Sequence, residues 1–430
     1  MNTTQQVFLR DAMRRLNLTR EGFAARIGSR KRALDAWLLP DESSEFRAMP
    51  EVVRRFVSEI LERDAGTAAL STQSVQKPVG HGDWPGTVHL LSVSQFNRDA
   101  VEALFALADV MQPIARRRKV TRVLEGAVLG NLFFEASTRT RVSFGAAFCR
   151  LGGSVCDTTG FTFSSMAKGE SIYDTSRVVS GYVDVLVVRH PEQGAVAEFA
   201  AATHVPVING GDGPGEHPTQ ALLDLYTIQR EFSRIGKLVD GAHLTLAGDL
   251  KYGRTVHSLV KLLALYRGLK ITLVSPPSLA LPAELVDLVS RGGHVVEQTR
   301  SLRDGVRGAD IIYTTRIQKE RFATDEVIDG DGADFEVNRE VLAASGKADT
   351  LAMHPLPRDS RPGAFDLSVD LNTDPRLAIF RQTDNGVPVR MALFAQMLGV
   401  DGLVQRSLRD ATWRSPAQVG VDDAVLADEA

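Results

Sequence analysis

The chain has 430 residues, 43% of them hydrophobic and 24% charged, with a formal net charge of −3. That length exceeds one ordinary core and predicts two or three domains, while the composition excludes a disordered chain and the charge gives no global attraction to nucleic acid or acidic membranes. Two cysteines, Cys149 and Cys156, are too few for a disulfide framework or a metal cluster, and no apolar run is long enough to span a bilayer; the expectation is a cytoplasmic enzyme with both cysteines as small core residues.

Residues 1–62 read as a small all-α module. Thr19 suits a helix N-cap, Phe23, Ala24 and Ile27 share one face, and Gly28 ends the turn before a second helix from about Ser29 to Trp37. This Leu-Thr-x-x-x-Phe-Ala-x-x-Ile-Gly pattern, followed by Leu34 and Trp37, resembles the helix-turn-helix of phage-repressor-like regulators, in which Arg30, Lys31 and Arg32 would meet DNA. Eleven Lys and Arg against nine Asp and Glu leave the module without a pronounced basic face, so docking is at least an equal reading and nucleic acid is not the expected partner. Residues 63–87 are rich in Gly, Ser, Thr, Ala and Pro and predict a linker.

From Val88 onward short apolar runs alternate with helical patterns: Ala127–Phe134, Val183–Val188, Val205–Ile208, His243–Ala247, Lys270–Val274 and Asp310–Tyr313. Such alternation predicts an α/β fold with two parallel-sheet domains. The first is placed at 88–222 and the second at 223–385, joined by a bridging helix over His217–Phe232. Residues 386–400 form a closing helix, and the polar tail 401–430 is expected to lack order. Open parallel sheets bind ligands at the carboxyl ends of their strands, and the polar motifs of this chain fall just after the apolar runs.

The first such motif is Phe133-Phe134-Glu135-Ala136-Ser137-Thr138-Arg139-Thr140-Arg141, where a strand gives way to a helix. The unpartnered amides of a first helical turn, the helix dipole, three hydroxyls and two guanidiniums make an anion seat. Together with Val187-Val188-Arg189-His190-Pro191, His217-Pro218-Thr219-Gln220, Gly248-Asp249-Leu250-Lys251-Tyr252-Gly253-Arg254-Thr255, Thr315-Arg316-Ile317-Gln318-Lys319-Glu320-Arg321 and His354-Pro355-Leu356-Pro357-Arg358, this stretch resembles the ordered motif series of the aspartate and ornithine carbamoyltransferases, from about Val88 to Val400.

The resemblance implies carbamoyl phosphate and L-aspartate as substrates, with no metal or cofactor. It implies carbamoyl phosphate binding by Ser137, Thr138, Arg139, Thr140, Arg189, His217, Gln220 and the backbone carbonyls of Pro355 and Leu356, with Arg139, Thr140 and His217 as the catalytic donors to the carbonyl oxygen. It implies that Ser164 and Lys168 reach the site from the adjacent subunit of a homotrimer; Ser165 competes with Ser164, which its spacing to Lys168 favours. For aspartate it implies Lys168, Arg254, Arg316 and Gln318. No side chain is assigned as general base, since the departing phosphate can take the proton.

An ornithine enzyme of this kind would be expected to carry His-Cys-Leu-Pro at 354–357 and a Ser-Met-Gly segment, and both are absent. The expected activity is therefore aspartate carbamoyltransferase in pyrimidine biosynthesis. The alternatives are a carbamoyltransferase for another amino acid, such as ornithine, and a DNA-binding regulator that keeps the enzyme body as a sensor. A dihydroorotase or regulatory chain as partner is left open.

Overall fold

The computed structural model describes residues 4–16, 18–27, 29–40, 43–58, 61, 89–160, 166, 169–316, 335–359 and 366–413. The chain divides into two compact units, residues 1–81 and 82–430. In the first, α1 (Gln5–Arg15), α2 (Arg20–Arg26), α3 (Lys31–Trp37) and a helical stretch at 51–58 enclose Leu9, Phe23, Ala24, Leu34, Trp37 and Val57. The Gly22 amide donates to Thr19 Oγ1 at 3.2 Å, the capping role its position suggests. The linker 63–87 lies outside the described residues.

The second unit holds two parallel sheets. After α4 (Arg98–Ala115) and the two-residue β1 (Lys119–Val120), the first sheet is built from β2 (Val128–Phe133), β3 (Ser154–Thr159), β4 (Val185–His190) and β5 (Val207–Asp212), in the order β3-β2-β4-β5. Its helices are α5 (Thr138–Arg150), α6 (Ile172–Val179) and α7 (Ala195–Ala202), and α8 (Pro218–Arg234) leads onward with Pro218 at its first turn.

The second sheet comprises β6 (His243–Gly248), β7 (Lys270–Val274), β8 (Val295–Thr299), β9 (Ile311–Thr315) and β10 (Leu351–Met353), in the order β10-β9-β6-β7-β8. Helices α9 (Arg254–Leu263), α10 (Ala283–Arg291), α11 (Leu302–Gly305) and α12 (Arg339–Ala344) accompany it. The chain then passes through α13 (Ile379–Asp384) into α14 (Gly386–Met397), which packs on α4, α5 and α8 of the first sheet's half. Phe394 sets its ring edge against Phe148 at 4.9 Å and Phe144 at 5.9 Å. Across the crossing, buried Arg381 of α13 grips buried Glu231 of α8 at 2.7 and 3.3 Å.

Of the strands of the two parallel sheets, three were missed in the sequence, β3, β8 and β10, and all are sheet edges. An edge strand is covered less completely, so Ser154–Thr159 and Val295–Thr299 carry polar residues in place of an apolar run. β4, β5 and β9 begin later than their apolar runs and extend past them, carrying Arg189, Asp212 and Thr315 as strand ends.

Two expectations need correction. Cys149 and Cys156 are exposed, not core residues, because Cys149 sits on the outer side of the last turn of α5 and Cys156 on edge strand β3. The tail is not structureless from Asp401: α15 (Asp401–Ser407) buries Val404, and β11 (Arg409–Asp410) pairs antiparallel with β1, tied by Lys119 to Asp410 at 2.7 Å. No single described helix is long and apolar enough to cross a membrane.

Candidate active site

The carboxyl ends of β2, β4, β5, β6, β9 and β10 carry the polar motifs. β2 stops at Phe133, and Ser137 takes the N-cap position of α5 with extended backbone. Asn97, Ser171 and Ser301 cap their helices through their side chains, whereas Ser137 makes no such bond. The first amides of α5 are thus left to an outside acceptor. Thr140 is buried within that turn, while Ser137 and Thr138 lie toward solvent and Arg139 is exposed. Arg141 is turned away: it pairs with Asp157 at 3.5 Å, and its carbonyl accepts from Asn131 Nδ2.

Glu135, just ahead of that turn, receives the Arg189 guanidinium at 2.8 Å and the Arg254 guanidinium at 3.4 Å on one carboxylate oxygen. Both arginines are buried. Arg189, near the end of β4, also donates to the Gly210 carbonyl at 3.2 Å. Gly211, at φ +132, leaves room for it, since a β-carbon there would stand 2.7 Å from Arg189 Nη1. Arg254 opens α9 and donates to the Gly213 carbonyl. Two motifs from different sheets therefore share one carboxylate.

His217 is buried at the N-terminus of α8, its amide directed at Ser258 Oγ at 3.4 Å. Its Nδ1 has no hydrogen-bond partner among the described residues. Burial, and then the charges of Arg189, Arg254 and Arg390, hold the imidazole pKa well below its ordinary value, so the ring is neutral at pH 7. A neutral imidazole can donate one hydrogen bond without carrying charge.

Gln220, one turn into α8, donates from Nε2 to Asp224 Oδ1 at 2.8 Å. Asp224 is fully buried and accepts two more bonds, from Tyr313 Oη of β9 at 2.7 Å and from Gln382 Nε2 of α13 at 2.6 Å. Gln382 Oε1 in turn accepts the His354 amide at 3.1 Å, at the end of β10. The next residues, Pro355 and Leu356, follow a tight turn in which the Leu356 amide donates to His354 Nδ1 at 2.8 Å and Leu356 takes the left-handed conformation, φ +57. A branched residue in that region is strained and is held there by its surroundings. Burial pushes the Asp224 carboxyl up to about 6 against the bonds from Gln382, Tyr313 and Gln220 and the Arg390 charge. Arg390, buried on α14 over the Phe144 ring, is brought down to about 10 by burial.

Arg316 follows β9 and is half-buried. Ser164, Ser165, Lys168 and Gln318 lie outside the described residues. The structure thus brings Arg189, Arg254 and His217 into one cluster, and links Gln220 to the Pro355–Leu356 turn through buried groups. Asp224, Tyr313, Gln382 and Arg390 went unnoticed in the sequence; only Asp224, at i+4 from Gln220 on a predicted helix, left a local signal.

Residues 88–230 match the family model described as aspartate/ornithine carbamoyltransferase, carbamoyl-P binding domain, and residues 240–397 match its Asp/Orn binding domain. The chain is 56% identical over 325 residues to an aspartate carbamoyltransferase catalytic subunit of Saccharophagus degradans, covering 76% of this chain and 96% of that protein. To the corresponding subunit of Archaeoglobus fulgidus it is 44% identical, covering 72% and 99%. Among solved structures, aspartate transcarbamoylase from Trypanosoma cruzi in complex with aspartate and phosphate superposes with a TM-score of 0.63 at 40% identity, covering 71% of this chain and 93% of that one. The catalytic subunit of M. jannaschii aspartate transcarbamoylase gives 0.65 at 39% identity, covering 73% and 98%.

Proposed function

The chain belongs to the aspartate/ornithine carbamoyltransferase family, and from that premise we infer that it transfers the carbamoyl group of carbamoyl phosphate to the amino group of L-aspartate, forming N-carbamoyl-L-aspartate and phosphate. The observation that carries the reading is the sharing of the Glu135 carboxylate by Arg189 and Arg254 beside a neutral, buried His217. Two guanidiniums converge where a phosphate and a carboxylate must meet, next to an uncharged donor suited to a carbonyl oxygen.

In this mechanism the open amides of α5, the hydroxyls of Ser137, Thr138 and Thr140, and the guanidiniums of Arg139 and Arg189 hold the phosphate. Arg139, Thr140 and His217 donate to the carbonyl oxygen as the aspartate nitrogen attacks the carbon. Donors aimed at developing negative charge are commonly the largest catalytic contribution, on the order of 10²–10³ in rate for one of them. The carbon–oxygen bond to phosphate then breaks, the phosphate keeps that electron pair, and it takes the proton the amine gives up. Gln220 and the carbonyls of Pro355 and Leu356 accept from the carbamoyl amino group. Arg254 and Arg316, with Gln318 and Lys168, take the two aspartate carboxylates. Ser164 and Lys168 come from an adjacent subunit, which makes the active form a homotrimer. We read residues 1–62 as a docking module in preference to a DNA reader, since Lys31 pairs with Glu21 and Arg20 with Asp35 in a module that already lacks a pronounced basic face.

The test is phosphate release from carbamoyl phosphate with L-aspartate, with L-ornithine or with no acceptor, on the full chain and on a chain beginning at Gly82. Aspartate-dependent release by both is expected. Release with ornithine alone, or equal release without acceptor, would overturn the substrate assignment.

A further inference from the structure

Resting on the carbamoyl-transfer reading, we propose that Asp224 is a positioning residue that turns the acceptor atoms of both halves of the protein toward the carbamoyl amino group. Recognition of an –NH2 against a –CH3 of the same size requires carbonyl oxygens facing it. A glutamine is ambiguous in this respect, because its amide carries an acceptor and two donors on groups of nearly equal size. Asp224 removes the ambiguity at Gln220: Oδ1 takes the Nε2 bond at 2.8 Å, and Oε1 is left as the free end.

The same oxygen takes Gln382 Nε2 at 2.6 Å, and this fixes Gln382 Oε1 as the acceptor of the His354 amide at 3.1 Å. The His354 backbone starts the turn that presents Pro355 and Leu356, with Leu356 in its left-handed conformation. One carboxylate therefore orients Gln220 on α8 and, through Gln382, the carbonyl-bearing turn after β10. Tyr313 Oη donates to its other oxygen at 2.7 Å. A leucine has nearly the same shape and accepts nothing, so in that place it would leave both glutamine amides free to turn over. Asp224 touches no reacting atom in this scheme, and the closeness of Arg390 supplies the countercharge that a buried carboxylate needs.

The experiment compares the wild type with Asp224→Leu and Gln382→Leu in the full chain. The readouts are KM for carbamoyl phosphate and inhibition constants for acetyl phosphate, which carries a methyl in place of the amino group, and for inorganic phosphate. Asp224→Leu should weaken carbamoyl phosphate roughly ten- to hundred-fold, the range for a misplaced buried hydrogen-bonding group, and move the other two ligands by no more than about three-fold. Gln382→Leu should shift the same ratio in the same direction by a smaller factor, and it carries the test if Asp224→Leu does not fold. Equal weakening of all three ligands, or no change in the ratio in the variants that fold, overturns the proposal. A wild type that shows no preference for carbamoyl over acetyl phosphate removes the carbamoyl reading itself, and the proposal with it.

Discussion

Replacing Arg381 with methionine tests what holds the two halves of the second unit together. Arg381 and Glu231 are nearly water-free, with 1% and 6% of their side chains exposed, and they meet through two bonds of 2.7 and 3.3 Å. Arg381 also donates to the Leu377 carbonyl at 3.3 Å and the Pro375 carbonyl at 3.0 Å. Removing one member of such a pair strands the other charge and typically costs about 3–5 kcal/mol. Glu231 keeps a partner in Arg234 at 2.9 Å, but that side chain is one-third exposed, which puts the expected loss near the lower end, about 3 kcal/mol. The pair Arg381→Met with Glu231→Leu removes both charges and should recover most of the loss. Urea unfolding followed by circular dichroism, with the slope checked for constancy, gives the three free energies. A single variant that loses less than about 1 kcal/mol, or a double variant no more stable than the single, would refute the reasoning. Because α13 also carries Gln382, Arg381→Met should in addition raise the KM for carbamoyl phosphate.

Gly248→Ala should impair aspartate use in particular: at φ +103 a β-carbon would stand 2.2 Å from the Thr315 carbonyl, next to Arg316, so KM for aspartate should rise more than KM for carbamoyl phosphate, and the reverse order would sink the argument. Glu135→Gln should tighten inorganic phosphate binding by about ten-fold, because the anion no longer competes with a carboxylate for Arg189; unchanged calorimetric affinity would show that Arg189 does not receive it. Burial lowers the pKa of His217, His243, His257 and His354, so on unfolding below about pH 6.5 each takes up a proton that the folded state refuses. Stability should therefore hold above that pH and fall as the pH drops through it, with a shallower slope in His217→Gln; a denaturation midpoint indifferent to pH between 7.5 and 5.5 would contradict this. Arg139→Ala and Lys168→Ala subunits, each inactive alone, should regain partial activity when mixed, and subunits that exchange yet stay inactive would count against a shared site.

Central strands were legible because a strand covered on both faces must be apolar, and β2, β6 and β7 stand within a residue of their runs. Edge strands β3 and β8 were not, since their residues are mostly exposed or half-buried and so break the apolar run. The anion seat was legible because Ser137 to Arg141 lie in one local turn. The Asp224 hub was not, because its partners come from three elements, and no short window contains Gln220, Tyr313 and Gln382 together. Cys149 misled for a related reason: a small residue among apolar neighbours says nothing about which way its helix faces.

The return of α14 to the first sheet's half has a consequence for how the protein is made. Phe144 and Phe148 belong to the first sheet's half, yet the ring that covers them, Phe394, leaves the ribosome some 250 residues later. The amino-terminal half of the enzyme body is therefore synthesised with an open apolar groove, which cannot close until Phe394 has left the ribosome. A ribosome stalled short of Gly386 should hold a nascent chain sensitive to protease and attractive to chaperones, while release of the last turns of α14 completes both halves at once.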